Sequence, residues 1–187
     1  MTRIKDLVEN YERHLATPWQ KTVSGAERVI ILVYAKEMER AIRGGKGLFE
    51  EATIRAGHKW VEVDLSDCFA KWLAADEYRE SYFTSPDDLQ LKLEAEFTAH
   101  VAEVLRTTLK RADVTGDTVV AVLGAASLYG FTHISQVLRL VEPDISGRLL
   151  VFFPGQHEGN DYQLLDARHG WDYLAIPITL HSQGGYE

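Results

Sequence analysis

The chain has 187 residues, of which 45% are hydrophobic and 26% charged, and its formal net charge is −8. That length suits one domain that buries roughly 70% of its unfolded surface, and the composition is that of an ordinary soluble globular protein. The acidic balance disfavours non-specific contact with nucleic acid or an anionic membrane.

In chain order, Ile4, Leu7, Val8, Tyr11 and Leu15 recur at helical spacing, so residues 3–15 are expected to form an amphipathic helix that ends before Thr17-Pro18. "RVIILVYA" (28–35) is a continuous apolar, β-branched run, as in a strand buried on both faces. From Lys36 the period becomes helical to residue 56, with Met38, Ile42, Phe49, Ala52 and Ala56 on one face and Gly57 as the stop. "GGKG" (44–47) interrupts or kinks that helix, each glycine costing about 1 kcal/mol against alanine. "WVEVDL" (60–65) is a second strand, and "SDCFAKWLA" (66–74) opens a helix on Ser and Asp caps. Residues 76–88 form an aromatic-rich irregular segment. Ser85-Pro86 then starts a long helix to about 111. "DTVVAVLG" (117–124) is a third strand, "THISQVLRLV" (132–141) a helix, and "GRLLVFF" (147–153) a fourth strand that stops at Pro154-Gly155. "DYLAIPI" (172–178) is a fifth, placed by Pro177 at an edge.

Apolar strands alternating with helices imply an α/β fold: one domain over residues 1–187, a mainly parallel sheet of about five strands flanked by helices, Rossmann-like or P-loop-like without a phosphate-binding motif, and a short flexible tail from about 180 to 187. In such sheets ligands and partners meet loops beyond the carboxyl ends of the strands. Those loops here are "YAKE" (34–37), "DLSD" (64–67), "GAASLYGF" (124–131) and the stretch 154–163.

The chemical motifs are weak. "GGKG" lacks the leading glycine and the trailing Ser/Thr of a phosphate loop and lies about ten residues beyond its strand. "GAASLYGF" matches neither G-x-S-x-G nor G-x-G-x-x-G, which makes Ser127 a poor nucleophile. Seven histidines include no HExxH and no pair at i, i+4, so no metal site is assigned. Asp64 and Asp67 resemble magnesium-holding acids at a strand end; without a phosphate loop they read as helix caps. The lone Cys68 excludes an internal disulfide and reads as a buried, inert thiol. The mixed charges of helix 36–56 read as a solvated face. No basic stripe or recognition helix argues for direct nucleic-acid contact. No run approaches the ~18 apolar residues of a membrane span, the amino terminus is no signal peptide, and the expected setting is cytoplasmic.

Candidate contacts are therefore aromatic and polar: Tyr129 and Phe131 on one loop, and His157, Glu158, Asn160, Asp161 and Tyr162 on another. Asn160 and Asp161 equally suit a turn. Tyr78, Tyr82, Phe83, Tyr129 and Tyr162 suit either an interface or a core. An alternative reading is a metal-dependent or nucleotide-linked hydrolase, in which Asp64, Asp67, His157, Glu158 and Asp161 converge on one pocket.

Four stretches, "RVIILVYAKEMERAI", "EEATIRAGHKWVEVDLSDCFAKWLAADEYRESYF", "VVAVLGAASLYGFTHISQVL" and "GRLLVFFPGQHEGNDYQLLDARHGWDYLAIPI", resemble the BrxB family of the bacteriophage exclusion (BREX) defence systems of bacteria and archaea. The likeness runs from about residue 3 to 179, and its last block is the most specific part. The glycine-interrupted "RGGKG" departs from a smoother helix. The resemblance implies a small, non-enzymatic core component without a cofactor. It would act as an adaptor that contacts the PglZ-like protein and, through it, the methyltransferase, beside a large ATPase and a small BrxA-type protein. The implied system methylates host DNA and blocks phage whose DNA is unmarked.

Overall fold

The computed structural model describes residues 2–20 and 22–180, so the tail expected over 180–187 lies almost wholly outside the described residues. Helix α1 (Thr2–Leu15) leads to strand β1 (Val29–Tyr34). Where one helix was expected over 36–56, a tight 3-10 turn (Lys36–Met38) is followed by α2 (Glu39–Gly45) and α3 (Gly47–Arg55). The break at Lys46 falls among the three glycines, whose backbone freedom makes a continuous helix costly there. Strand β2 (Lys59–Asp64) and α4 (Cys68–Ala75) come next. The segment expected to be irregular holds a short helix, α5 (Arg79–Thr84). Asp76 supports it by accepting a hydrogen bond from Tyr78 N at 2.8 Å.

The expected long helix is present but not uniform. After a 3-10 turn (Pro86–Leu89) it runs as α6 (Gln90–Lys92), a π-helical segment (Leu93–Phe97) and α7 (Thr98–Leu109). Thr98 Oγ1 donates to Leu93 O, five residues back, at 3.3 Å and meets Thr132 Oγ1 at 2.5 Å. Such wide turns are rare and cluster at functional sites.

Strand β3 (Thr118–Leu123), α8 (Ile134–Val141) and β4 (Arg148–Glu158) follow, then β5 (Asp161–Leu164), β6 (Trp171–Asp172) and β7 (Ile176–Ile178). The sheet order is β2-β3-β4-β1-β7, all parallel, with β5 and β6 added antiparallel beyond the end of β4. Two expectations are corrected. Strand β4 does not stop at Pro154-Gly155. Its ladder with β3 ends at Val151, it passes through Pro154, whose carbonyl accepts from Leu165 N at 2.9 Å, and it pairs with β5 as far as Glu158↔Asp161. The strand expected over 172–178 is two short strands, and Pro177 lies in β7 at the sheet edge, where its missing N–H does least harm.

The side-chain period of two divides the central strands cleanly. Val29, Ile31 and Val33 of β1, with Leu149, Val151 and Phe153 of β4, face α4, α7 and α8. Ile30, Leu32, Leu150 and Phe152 face α1, α2 and α3, where Phe49 meets Phe152 edge-on with ring centroids 5.3 Å apart. Strands buried on both faces need a helical layer on each side, which makes the domain a three-layer α/β sandwich.

Gly124 closes β3 at φ +79°, and a Cβ there would stand 2.6 Å from Ser66 N and 2.7 Å from Asp64 Oδ1. Gly124→Ala is therefore expected to lower unfolding stability by about 2–3 kcal/mol, through backbone strain plus that collision. Urea titration with an unchanged slope checks it.

Candidate functional site

The chain leaves β1 towards β2 on one side and leaves β4 towards β7 on the other. The two neighbouring strands β1 and β4 thus send their connections in opposite directions along the sheet, and α/β sheets place their crevice where that direction reverses. A cleft of about 650 Å³ lies there, lined by Tyr34, Lys36, Glu37, Gln156, His157 and Asp166, among others. Lys36 pairs with Asp166 across it, both side chains solvent-exposed. Burial pushes the His157 imidazole below its ordinary pKa, against a raising effect of the Gly159 backbone and Asp161. Leu165 lines the same cleft at φ +53°, the one positive-φ non-glycine among the described residues.

A second cavity, a groove of about 630 Å³, lies between the 129–133 turn, the π-helical segment and the β5–β6 arm. Tyr129 stands at its rim, 49% exposed. Phe131 also lines it and is stacked on Phe69 with centroids 3.9 Å apart and planes 9° from parallel, which fixes the turn to α4. Trp171, stacked on Tyr162 at 5.1 Å, also lines it. Arg168, His133 and His169 reach it as exposed polar groups, with Glu94 from the π-helical segment. Leu91, next to Gln90 of the groove, is 87% exposed, and Phe83 and Tyr78 of α5 are exposed as well. Exposed aromatic side chains at the rim of a groove, as Tyr129 is here, are typical of association surfaces.

The seven residues expected to share a contact surface are dispersed. Tyr129 and Phe131 line the groove, His157 lines the switch-point cleft, and Asn160 lines a third cavity with Tyr173 and Leu174. Glu158 and Asp161 pair across the hairpin, with Gly159 at φ +61° in the two-residue turn and Asn160 O accepting from Tyr173 N at 3.2 Å. Tyr162 is corrected from contact residue to core. It is fully buried, packed edge-on against Phe153 at 5.9 Å, because alternation along β5 turns Tyr162 and Leu164 inward together. Its hydroxyl has no hydrogen-bond partner among the described residues.

Asp67 does not cap α4 through its side chain; it is exposed and 3.9 Å from Lys71. Asp64 instead holds the turn, accepting from Ser66 N at 2.9 Å and Ser66 Oγ at 2.6 Å. Arg43, expected on a solvated face, joins this network. It donates to Asp64 at 2.9 Å, to Ser66 Oγ at 2.6 Å and to Glu39 at 3.0 Å, while Glu39 accepts from Tyr34 OH at 2.6 Å. Burial pushes the Asp64 carboxyl up, but the hydrogen bonds from Arg43 and Ser66 outweigh it and hold the pKa to about 2. Among the described residues no three His, Cys, Asp or Glu side chains gather so as to hold a metal ion. Cys68 is buried, which pushes its thiol up.

Fold and site together define a three-layer α/β domain with an aromatic groove and a switch-point cleft at the carboxyl edge of its sheet. No helix among the described residues is long and apolar enough to cross a membrane. Comparison with protein-family models, curated proteins and solved structures gives no match.

Tyr162→Phe removes a buried hydroxyl that has no partner, so it is expected to leave stability unchanged or raise it by about 1 kcal/mol, whereas Tyr162→Ala is expected to cost about 3–5 kcal/mol. Chemical denaturation of the two variants checks both. The folded-state pKa of Asp64 lies below the ordinary carboxylate value of 3.8, so its stabilising contribution is complete above about pH 4 and is lost as pH falls towards 2. Arg43→Met is expected to move the Asp64 titration back up towards the ordinary carboxylate range, as followed by NMR.

Proposed function

We propose that the chain is a non-enzymatic adaptor that docks a protein partner along the aromatic groove at the carboxyl edge of its sheet. The observation that carries the proposal is Tyr129, half exposed at the rim of a cavity lined by the stacked Phe131 and by Trp171. A ring presented from a turn anchored by packing loses little conformational entropy on binding. With the resemblance to the BrxB family, this supports a cytoplasmic core component of a BREX anti-phage system. Its partner would be the PglZ-like protein, which links it to the methyltransferase.

Tagged co-purification from cells carrying the neighbouring genes tests the reading. Stoichiometric recovery of a PglZ-like protein is the expected result, and elution of the chain alone contradicts it. In calorimetry with that partner, Tyr129→Ala is expected to weaken binding by about 1–4 kcal/mol with the unfolding midpoint unchanged. Full affinity in the folded variant would remove the groove as the interface.

A further inference from the structure

The switch-point cleft is built by separate elements: the end of β1 with the turn after it, β4, the turn after β5, and the segment that follows β7. Each is held in place from outside the cleft. Strand β1 pairs with β4 as far as Tyr34↔Pro154, Leu165 N donates to Pro154 O at 2.9 Å, and Asn10 Nδ2 of α1 donates to Thr179 O at 2.6 Å. The cleft is therefore formed before anything enters it, and its volume of about 650 Å³ lies within the roughly 300–1,000 Å³ of small-molecule sites. Leu165 lines it at φ +53°, and backbone strain of this kind clusters at ligand sites.

The polar groups of the cleft carry both signs. Lys36 and Asp166 meet there as an ion pair, both side chains exposed. Glu37 also lines it. The hydrogen bond to Asp166, and after it the charges of Asp166 and Glu37, raise the Lys36 pKa against a lowering by burial, so two carboxylates share one lysine. His157, whose pKa burial lowers, is an uncharged hydrogen-bonding ring at neutral pH. Leu165 and Leu180, both half-buried, supply apolar lining.

That set selects by charge. A simple anion would meet Lys36 but also two carboxylates. A simple cation would leave Lys36 without its partner. A molecule carrying both an ammonium and a carboxylate replaces the Lys36–Asp166 contact with two of its own, and an exposed ion pair is weak enough to open at little cost. We propose that the switch-point cleft binds a free α-amino acid with an apolar side chain, its carboxylate on the Lys36 ammonium, its ammonium on Asp166 and its side chain against Leu165 and Leu180. The site lies across the β5–β6 arm from the docking groove and does not rest on the adaptor reading.

The test is thermal unfolding of the full chain in millimolar L-leucine, with sodium chloride at matched ionic strength as reference. Two truncated probes accompany it: 4-methylpentanoate, which lacks the ammonium, and isoamylamine, which lacks the carboxylate. The expected result is a rise of about 3 °C with leucine and none with either truncated probe. Lys36→Met and Asp166→Asn change exposed side chains, so both are expected to unfold at the wild-type midpoint in buffer and to lose the response to leucine. No shift with leucine, an equal shift with either truncated probe, or an undiminished shift in either variant overturns the site. Should a variant fail to fold, NMR of the wild type takes its place. The Leu165 and His157 amide signals are then expected to move saturably as leucine is added, and signals that stay in place overturn the proposal.

Discussion

Strand β4 is the constraint on which the rest of the structure depends. Over its first half it is hydrogen-bonded to β3 on one side and β1 on the other, with every side chain from Arg148 to Gly155 buried. A strand in that position must be apolar on both faces, and each face must be covered by helices. Over its second half the same strand leaves β3 and recruits β5, which carries Tyr162 and Leu164 into the core beside Phe153. Gly155 permits the close approach of β5, since a Cβ there would fall 2.1 Å from Gln163 O. Gly170 plays the matching part on the other side of the arm, where a side chain would run into the Asp161 carboxylate.

The two cavities at the carboxyl edge follow from that arm. Its near side, with the end of β1, bounds the cleft holding Lys36 and His157; its far side, with the 129–133 turn and the π-helical segment, bounds the groove. The π-helical turn therefore belongs to the groove. Thr98 draws Leu93 O and Thr132 to itself, which ties the wide turn of the helix to the loop that carries Tyr129 and Phe131. Rigid packing beneath an exposed ring is the arrangement that lets a partner gain contact area without first ordering the surface.

The polar groups that the fold buries are distributed by the same logic. At the carboxyl ends of β1 and β2, Arg43 is matched by Glu39, Asp64 and Ser66, so its charge is compensated and the network pins α2 to the strand ends. At the amino ends, Arg148 is matched by a ring face and a carbonyl alone. Two guanidiniums in one domain thus have opposite electrostatic surroundings. The first ties helix to strand ends, while the second carries a buried charge that no carboxylate among the described residues offsets.

Apolar run length, helical period and glycine and proline punctuation determined a good deal from the amino-acid sequence alone: an α/β domain, five parallel strands, the core faces of α1 and α8, the interruption near "GGKG" and the edge position of Pro177. These are local signals, carried by residues a few positions apart. What the tertiary structure decided depends on partners distant in the chain. Pro154-Gly155 looks like the end of a strand because both residues break local order, yet β5 supplies a new neighbour and the strand continues. Tyr162 looks like a surface aromatic among polar residues; only the register of β5 against β4 turns it inward. The groove joins Tyr129, Trp171 and Arg168, more than 35 positions apart at the extremes, and Arg43 meets Asp64 only because β2 runs back past α2. Side-chain chemistry was legible residue by residue, but whether a charge is paired or orphaned is set by which strand ends the topology places together.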